Sequence, residues 1–561
     1  MNIWILGTST LAPLARQLEK ELAARGFEAS VTVAGAGEFN SQLHDEASAY
    51  RTAAPETTIL IPDTHDILRP TLESPVSRGP KHRSLDLTRA LAQVQLAIQG
   101  AASTSAQVFV ANGSYPPSNS LGLLESNTGL SVADAVAAYN TALNEAAATH
   151  ENVYVVDYRG LVAKVGYDAF HDRRMWAHAR MRLSGTGITA LAGLLARALS
   201  ARLRRPRKCV VVDLDNTLWG GVLGEVGPGG VAVGGEGVGV CYAELQYELL
   251  ELRARGILLA IASKNDHDEA MSTIATHPGM VIRPEHLATT RIGWGDKADS
   301  LREIAAELKL SVDALAFIDD SAHECEAIRS VLPEVGVIEL TADPADYVGQ
   351  LRACEVFDTL SLTDTDRRRS ELIRQEQARA ASASDAPDMQ TFLRDLKQQA
   401  NVTALSQMNT PRAAQLCART NQFNLTLRRH DQAALAKLRD GGALGLVLSV
   451  RDRLGDAGAV GFGLIKPEGD EPGQWQLDTL VMSCRVLGRG LEAVLLSELV
   501  RAAQAAGATS VSARYTPGPR NSQCARFLGD HGFAKTGDAH QLSCEDLPPA
   551  PDYIEITREP S

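Results

Sequence analysis

The sequence predicts a multidomain α/β protein, and three observations predict it. Residues 1 to about 200 alternate short apolar runs with helical stretches. Residues 208 to about 360 repeat that alternation, opening on Cys209-Val-Val-Val-Asp213-Leu-Asp215-Asn-Thr217, a buried-type strand that runs into carboxylates. Residues 401 to about 545 carry strand-like runs around turn residues, then a long apolar helix. The length of 561 residues fits three or four domains at roughly 150 residues each. A hydrophobic content of 44% with 22% charged residues is a globular composition.

Bulk properties exclude several classes. A net charge of -13 argues against nucleic acid, whose phosphates call for concentrated Lys and Arg. The eight Cys form no C-x-x-C pair with nearby His, so a zinc site or disulfide framework is not expected, and free thiols fit a reducing cytoplasm. Met1-Asn-Ile-Trp-Ile-Leu-Gly lacks a basic leader region, and no apolar run approaches the roughly 20 residues of a membrane span.

In the first domain, residues 1–205, Ile3 to Leu6, Thr58 to Ile61, Gln107 to Val110 and Val153 to Val156 read as buried strands. Leu11 to Arg25 and Ala133 to Ala148 read as helices. Arg202-Leu-Arg-Arg-Pro-Arg-Lys208 reads as a solvated linker.

In the second domain, residues 206–360, strands are expected at Val210 to Val212, Ile257 to Ala262, Leu315 to Ile318 and Val335 to Leu340. Chemistry in open α/β sheets sits at the carboxyl ends of strands, and the charged residues fall there. Asp213 is placed as a nucleophile and Asp215 as general acid/base. Thr217 and the string Ser263-Lys264-Asn265 are candidate phosphate contacts, with Lys297 as a balancing cation. Asp319 and Asp320 end another strand; with Asp213 and Asp215 they form the candidate Mg²⁺ ligands. Gly227 to Gly239 reads as a flexible loop.

Ser321-x-x-Glu324 is a capping box, so a helix should begin at Ser321. Cys325 then falls on its first turn, leaning toward the site, where a helix N-terminus favours thiolate. The alternative is a buried Cys acting as a small apolar side chain.

Residues 361–400 read as a helical connector, broken at Ala380-Ala-Ser-Ala-Ser-Asp-Ala-Pro387. The third domain spans residues 401–548, with strands at Leu444 to Val450 and Val460 to Ile465 and a helix from Leu491 to Ala505; residues 549–561 are left as a tail. Arg485-Val-Leu-Gly488-Arg489-Gly490 is a Gly-rich turn before that helix, an arrangement able to bind phosphate groups. Cys484 just before it is a second candidate thiol.

The D-x-D-x-T spacing of Asp213, Asp215 and Thr217, with Ser263, Lys297 and Asp319-Asp320 in order, resembles the haloacid-dehalogenase (HAD) superfamily. The strings DLDNTLWGGVLGE, RGILLAIASKN, HPGM, DDSAHECEAIR, Asn421-Gln-Phe-Asn-Leu-Thr and Ser483-Cys-Arg-Val-Leu-Gly-Arg-Gly resemble the narrower FkbH-like family of polyketide pathways. That resemblance implies capture of D-1,3-bisphosphoglycerate, its dephosphorylation, and delivery of the glyceryl group through an enzyme thiol, with Cys325 preferred over Cys484, to an acyl carrier protein acting in trans. The R-x-x-G-x-G loop, with Asn521 to Phe527 and His531-Gly-Phe533, resembles GNAT acetyltransferases, so Arg485, Gly488 and Gly490 are the expected phosphopantetheine contacts. Gly7-Thr-Ser9 and Asn112-Gly113 resemble a degenerate SGNH hydrolase lacking the D-x-x-H motif, which implies a non-catalytic domain. Competing readings are a HAD phosphatase for another phosphorylated metabolite, a transferase of another acyl group such as lactyl, and a carrier-docking module or acetyltransferase in the third domain.

Overall fold

Asn2–Gly7 (β1), Thr57–Ile61 (β3) and Gln107–Ala111 (β4) are apolar along almost their whole length, the pattern of strands covered on both faces. With Ser30–Val33 (β2) and Val153–Val156 (β5) they form a parallel sheet of order β2-β1-β3-β4-β5. Alternate residues feed two cores. Ile3, Ile5, Ile59 and Phe109 pack with Leu14, Leu18, Leu191 and Leu195 of helices Ala12–Ala24 and Gly185–Leu203. Trp4, Leu6, Leu60 and Val110 pack with Val94, Ile98, Val136 and Tyr139 of helices Gly79–Thr104 and Val132–Ala148. The edge strand β2 has no sequence signal, because Ser30 and Thr32 are exposed and its valines only partly covered.

The structure, a computed structural model of the 561-residue chain, describes every residue except 78, 116–118, 128–130, 205, 363, 370, 373–374, 376–377, 380–381, 384–385, 421, 469–472, 538 and 559–561. It divides into two units, Met1–Leu252 with Ile261–Pro284 and Arg291–Thr363, and Arg253–Ala260 with Glu285–Thr290 and Asp364–Ser561.

The second sheet contains Cys209–Val212 (β6), Leu258–Ser263 (β7), Thr289–Ile292 (β8), Leu315–Asp319 (β9) and Gly336–Glu339 (β10), in the order β10-β9-β6-β7-β8. β6 is central, and the chain continues to either side of it, so its carboxyl end lies at a topological switch point. The short edge strand β8, Thr-Thr-Arg-Ile, was not expected; its polar residues mask it. The Gly-rich stretch 227–239 is packed rather than free. Val231 and Val233 are buried, and a Cβ on Gly279 would fall 1.9 Å from the Val233 carbonyl oxygen, so this stretch and His277-Pro-Gly279-Met280 approach through their backbones.

The third sheet is mixed. Gln398–Ala404 (β11), Phe423–Asn424 (β12), Leu444–Asp452 (β13), Gly455–Pro467 (β14), Gln474–Met482 (β15), Ser510–Ala513 (β16), Ala534–Thr536 (β17), Ala539–Ser543 (β18) and Ile554–Arg558 (β19) run β17-β18-β16-β15-β14-β13-β11-β19, with β12 on β15. β15–β16 and β11–β19 are parallel and the remaining pairs antiparallel. Helix Leu491–Ala505 has the expected bounds and is buried against the sheet by its many leucines, valines and alanines. Two expectations change here. Ile554–Arg558 is an edge strand and not a tail, held by its ladder to β11 and by Arg558 on the Glu498 carboxylate. Phe392, Leu393 and Leu396 of the expected connector form a small cluster with Leu454 and Tyr553 beside the third sheet. Of the connector's break, residues 380–381 and 384–385 lie outside the described residues, as does Asn421. The chain is a multidomain α/β protein as its sequence predicts.

Candidate active site

Asp213 leaves the end of β6, its N–H bonded to the Ile318 carbonyl of β9 at 3.0 Å. The chain then turns sharply. Asn216 adopts a left-handed backbone (φ 54°), which Asn tolerates, and its side-chain oxygen accepts the Gly221 N–H at 2.9 Å. Tyr347, with its hydroxyl on the Asn216 carbonyl at 2.9 Å, holds the turn from a distant helix.

The turn sends the two leading carboxylates in different directions. Asp215 accepts from the Trp219 indole (2.9 Å), the Leu223 N–H (3.0 Å) and the Asn265 amide (3.1 Å). Asp213 instead joins Asp319 and Asp320; one carboxylate oxygen from each lies within 4.8 Å of the others. The buried ammonium of Lys297 donates to Asp213 at 2.9 Å and to Asp319 at 2.6 Å. Lys297 opens helix Lys297–Glu307, capped by Asp296. Thr217 donates to Asp320 at 3.3 Å.

Three carboxylates against one lysine leave a negative excess, which a hard divalent cation with oxygen preference fits. Burial and the neighbouring Asp319 carboxylate raise the Asp213 pKa, with Lys297 opposing them, and burial with Asp319 raises that of Asp320. A cation here would reverse both effects. Asp215, expected among the metal ligands, lies outside this group of three side-chain carboxylates; its own carboxylate is held by three donors.

Ser263 ends β7 and is buried beside Asn265, whose amide donates to it at 3.2 Å. Both reach the site. Lys264 points elsewhere: half-exposed, it pairs with Glu324 at 2.6 Å. Ser321 does cap helix Ala322–Val331, accepting the Glu324 N–H, yet its own N–H donates to Asp319 at 2.8 Å and the Glu324 carboxylate pairs with Lys264, so the reciprocal half of the capping box does not form.

Cys325 differs from its expectation. It is fully buried, with its sulfur 3.7 Å from the Asp319 carbonyl oxygen. Burial and the charges of Asp319 and Glu339 push its pKa up to about 12. Desolvation outweighs the helix N-terminus, and the apolar-filler alternative describes the thiol as it stands. Of the eight cysteines only Cys484 is exposed.

The Gly-rich turn also departs from its expectation. The Glu492 carboxylate accepts the Gly488 N–H at 2.8 Å, filling the anion position with a side chain of the protein. Pro551 and Tyr553 lie so close to Gly490 that a Cβ there would be 2.7 Å from each. Arg485 flanks this turn. As folded, Gly488 and Gly490 are not presented to a pyrophosphate.

In the first sheet, Ser9 lines a cleft with Asp63, Asn112, Tyr158 and Arg182. The two histidines nearby are already engaged, His65 with Asp63 and Tyr167, and His171 with Tyr158 and the Tyr167 carbonyl. Among the described residues no hydrogen bond joins Ser9 to either histidine.

No family model matches the sequence, and no curated protein matches it. Among solved structures, the N-terminal part of a Bacteroides fragilis protein, containing a phosphatase domain and complexed with Mg, aligns with 64% of this chain and 95% of its own. The identity is 26% and the TM-score 0.59. A GNAT-family acetyltransferase from Desulfovibrio desulfuricans aligns with 26% of this chain and 99% of its own, at 16% identity and TM-score 0.21. The ribosomal-protein-S18-alanine N-acetyltransferase of Escherichia coli aligns with 27% and 97%, at 14% identity and TM-score 0.21.

Trp219, Asn216 and Tyr347 support the site but were not singled out from sequence. Trp219 carried a readable signal, four residues past Asp215 in the same turn; Tyr347, 131 residues from its partner Asn216, carried none.

Proposed function

We propose that the chain is a Mg²⁺-dependent phosphatase that also transfers an acyl group, of the FkbH-like kind: it takes D-1,3-bisphosphoglycerate, removes phosphate, and passes the glyceryl group to the phosphopantetheine thiol of a carrier protein in trans. The observation that carries this reading is the set of buried Asp213, Asp319 and Lys297 with half-buried Asp320 at the switch point of the central sheet. Similarity over 64% of the chain to a Mg-complexed protein part that contains a phosphatase domain supports it.

Asp213, Asp319 and Asp320 would hold the Mg²⁺, which when bound offsets charge on phosphate oxygens. An Asp213 oxygen attacks phosphorus, the bond from phosphorus to the ester oxygen breaks, and Asp215 supplies a proton to that oxygen. Water, deprotonated by Asp215, then cleaves the aspartyl-phosphate. Trp219, Leu223 and Asn265 aim Asp215 by three hydrogen bonds, while Thr217 and Ser263 offer hydroxyls beside the carboxylates.

Acyl transfer needs a reachable thiol. The acyl phosphate carbon is attacked by thiolate, the carbon–oxygen bond breaks, and phosphate leaves; exchange onto the carrier thiol follows. Exposure favours Cys484 over Cys325 as the relay. A phosphatase without transfer is the second reading, favoured by the burial of Cys325. An acetyl-coenzyme A enzyme is disfavoured by Glu492 in the Gly-rich turn.

Intact-protein mass spectrometry tests the reading. Wild type, Asp213→Asn, Cys325→Ala and Cys484→Ser are incubated with 1,3-bisphosphoglycerate made in situ, Mg²⁺ and a phosphopantetheinylated carrier. A glyceryl adduct on the carrier supports the transferase; an adduct that persists in Cys325→Ala and disappears in Cys484→Ser supports Cys484 as the relay. Phosphate release with no adduct on either protein leaves the phosphatase alone.

A further inference from the structure

Asp478 lies in the middle of β15 and is 1% exposed. The pairing of β14 with β15 slips at this point: Leu464 faces Thr479 and Ile465 faces Leu477, so Asp478 is the unopposed residue of a β-bulge. Bulges re-aim side chains and are over-represented beside functional sites. Here the carboxylate meets Arg428 and His430 from the loop before helix Gln432–Asp440, and Lys466 from β14. Lys466 sits 3.0 Å from Oδ1, which also accepts from Arg428; His430 Nε2 lies 2.8 Å from Oδ2, which accepts the Thr479 hydroxyl at 2.9 Å.

One carboxylate here faces two permanent cations and a histidine. A structural pin for the loop needs one partner; a buried acid with two cations and a His leaves a positive excess. That excess faces outward, since the Arg428 side chain is 44% exposed and that of Lys466 32%. Neither cation has another ion-pair partner among the described residues. Glu468, just past the end of β14, is engaged with Ser512 and Gln476. In a chain of net charge -13, a cationic cluster anchored on one buried carboxylate is a specific feature.

We propose that Arg428, His430 and Lys466, held by Asp478, bind a phosphate group of a ligand. Asp478 fixes the donors in place, and the remaining N–H groups of Arg428 and Lys466 meet the phosphate oxygens, with the Arg fork suited to two of them. The Gly-rich turn, filled by Glu492, does not offer that function. The phosphate has two sources of the same chemistry, the phosphopantetheine arm of a carrier or a small phosphorylated acid. The inference does not rest on the transferase reading, because none of its residues belongs to the Asp213 site.

Calorimetric titration of the full chain in EDTA tests it, with 4′-phosphopantetheine, pantetheine and 3-phosphoglycerate as probes. Wild type, Arg428→Ala, Arg428→Lys and Lys466→Ala are compared; phosphate binding at the Asp213 site is common to all and cancels. The expected result is at least tenfold weaker binding of a phosphorylated probe to Arg428→Ala and Lys466→Ala, partial recovery in Arg428→Lys, and affinity that falls as salt rises. Pantetheine should bind at least tenfold more weakly than its phosphate. Preference for 4′-phosphopantetheine assigns the carrier arm and preference for 3-phosphoglycerate the small acid. Equal affinity of wild type and Arg428→Ala for both phosphorylated probes, with both folded by circular dichroism, overturns the proposal.

Discussion

The Lys297 ammonium donates to the Asp213 carboxylate across 2.9 Å, both side chains buried at the end of the central strand. The pair is more than a salt bridge, because Lys297 also holds Asp319 at 2.6 Å and so keeps two members of the acidic set together. In the resting site the lysine is the only cation offsetting three carboxylates among the described residues, and a metal would share that task.

Lys297→Met therefore removes the compensation while keeping the apolar stem. Deleting one partner of a buried ion pair costs about 3–5 kcal/mol. In EDTA the variant should unfold at a clearly lower temperature than wild type. Added Mg²⁺ should raise its midpoint by more than it raises that of wild type, since a ligand that binds only the folded state stabilises it. Turnover of a phosphate monoester should fall roughly a hundredfold or more, as expected for loss of a charge that acts on the transferring group. An equal Mg²⁺ shift in the two proteins would mean that Lys297 and the cation do not share one site.

The contrast between Asp213 and Asp215 marks how far sequence could reach. Strand-then-carboxylate patterns are local, so β6, β9 and the residues ending them were legible from apolar runs alone. That Asp215 turns toward Trp219 and Asn265 depends on the Asn216 left-handed turn and a tyrosine 131 residues away. The burial of Cys325 has the same origin. Its place on the first helical turn was read correctly, but burial is set by the packing of whole layers, and burial decided the thiol's state. Glu492 could not be foreseen as the occupant of the Gly-rich turn, since i,i+4 proximity to Gly488 also fits a solvent-facing side chain.

Exposure separates the two candidate thiols by experiment. Iodoacetamide at neutral pH should label Cys484 in the folded protein and leave Cys325 unmodified until denaturant is added. Peptide mapping by mass spectrometry reads both sites at once. Native labelling of Cys325 at the rate of Cys484 would show that its helix opens readily and would return it to candidacy as the relay.

His171 gives the first domain a predicted pH response. Burial lowers its pKa from 6.5 to about 4, against the opposing pull of Asp63 and the Tyr167 carbonyl; His65 and Arg182 add to the lowering. The folded state thus binds fewer protons than the unfolded state between those values, so stability rises with pH across the window and is lost as pH falls from about 6.5 toward 4. The contribution is of order 3 kcal/mol at its maximum. Urea midpoints measured from pH 4.5 to 7 should slope upward in wild type, and the slope should shrink by about one proton in His171→Asn. Parallel profiles would assign the acid sensitivity to other groups.

Gly279→Ala should damage the active site from a distance. A Cβ at this position would meet the Val233 carbonyl oxygen at 1.9 Å, a backbone atom that cannot swing aside. Strand-like contact between Gly220 and Ala232 links the displaced segment to the catalytic turn. A second link runs through buried Gln246, which donates to the Leu218 carbonyl at 2.7 Å and accepts from the N–H groups of Val281 and Ile282 at 2.9 Å each. Pushing the two segments apart strains both links at once. Overpacking of this kind costs about 1–3 kcal/mol, so the variant should fold with a lowered midpoint. Hydrogen exchange should rise in residues 227–239 and in the turn after β6, leaving the third sheet unchanged. Phosphatase turnover should drop although no group that touches phosphate has changed. Full turnover with unaltered exchange in that turn would show that the glycine contact serves the loop alone and that the catalytic turn is held by Asn216 and Tyr347.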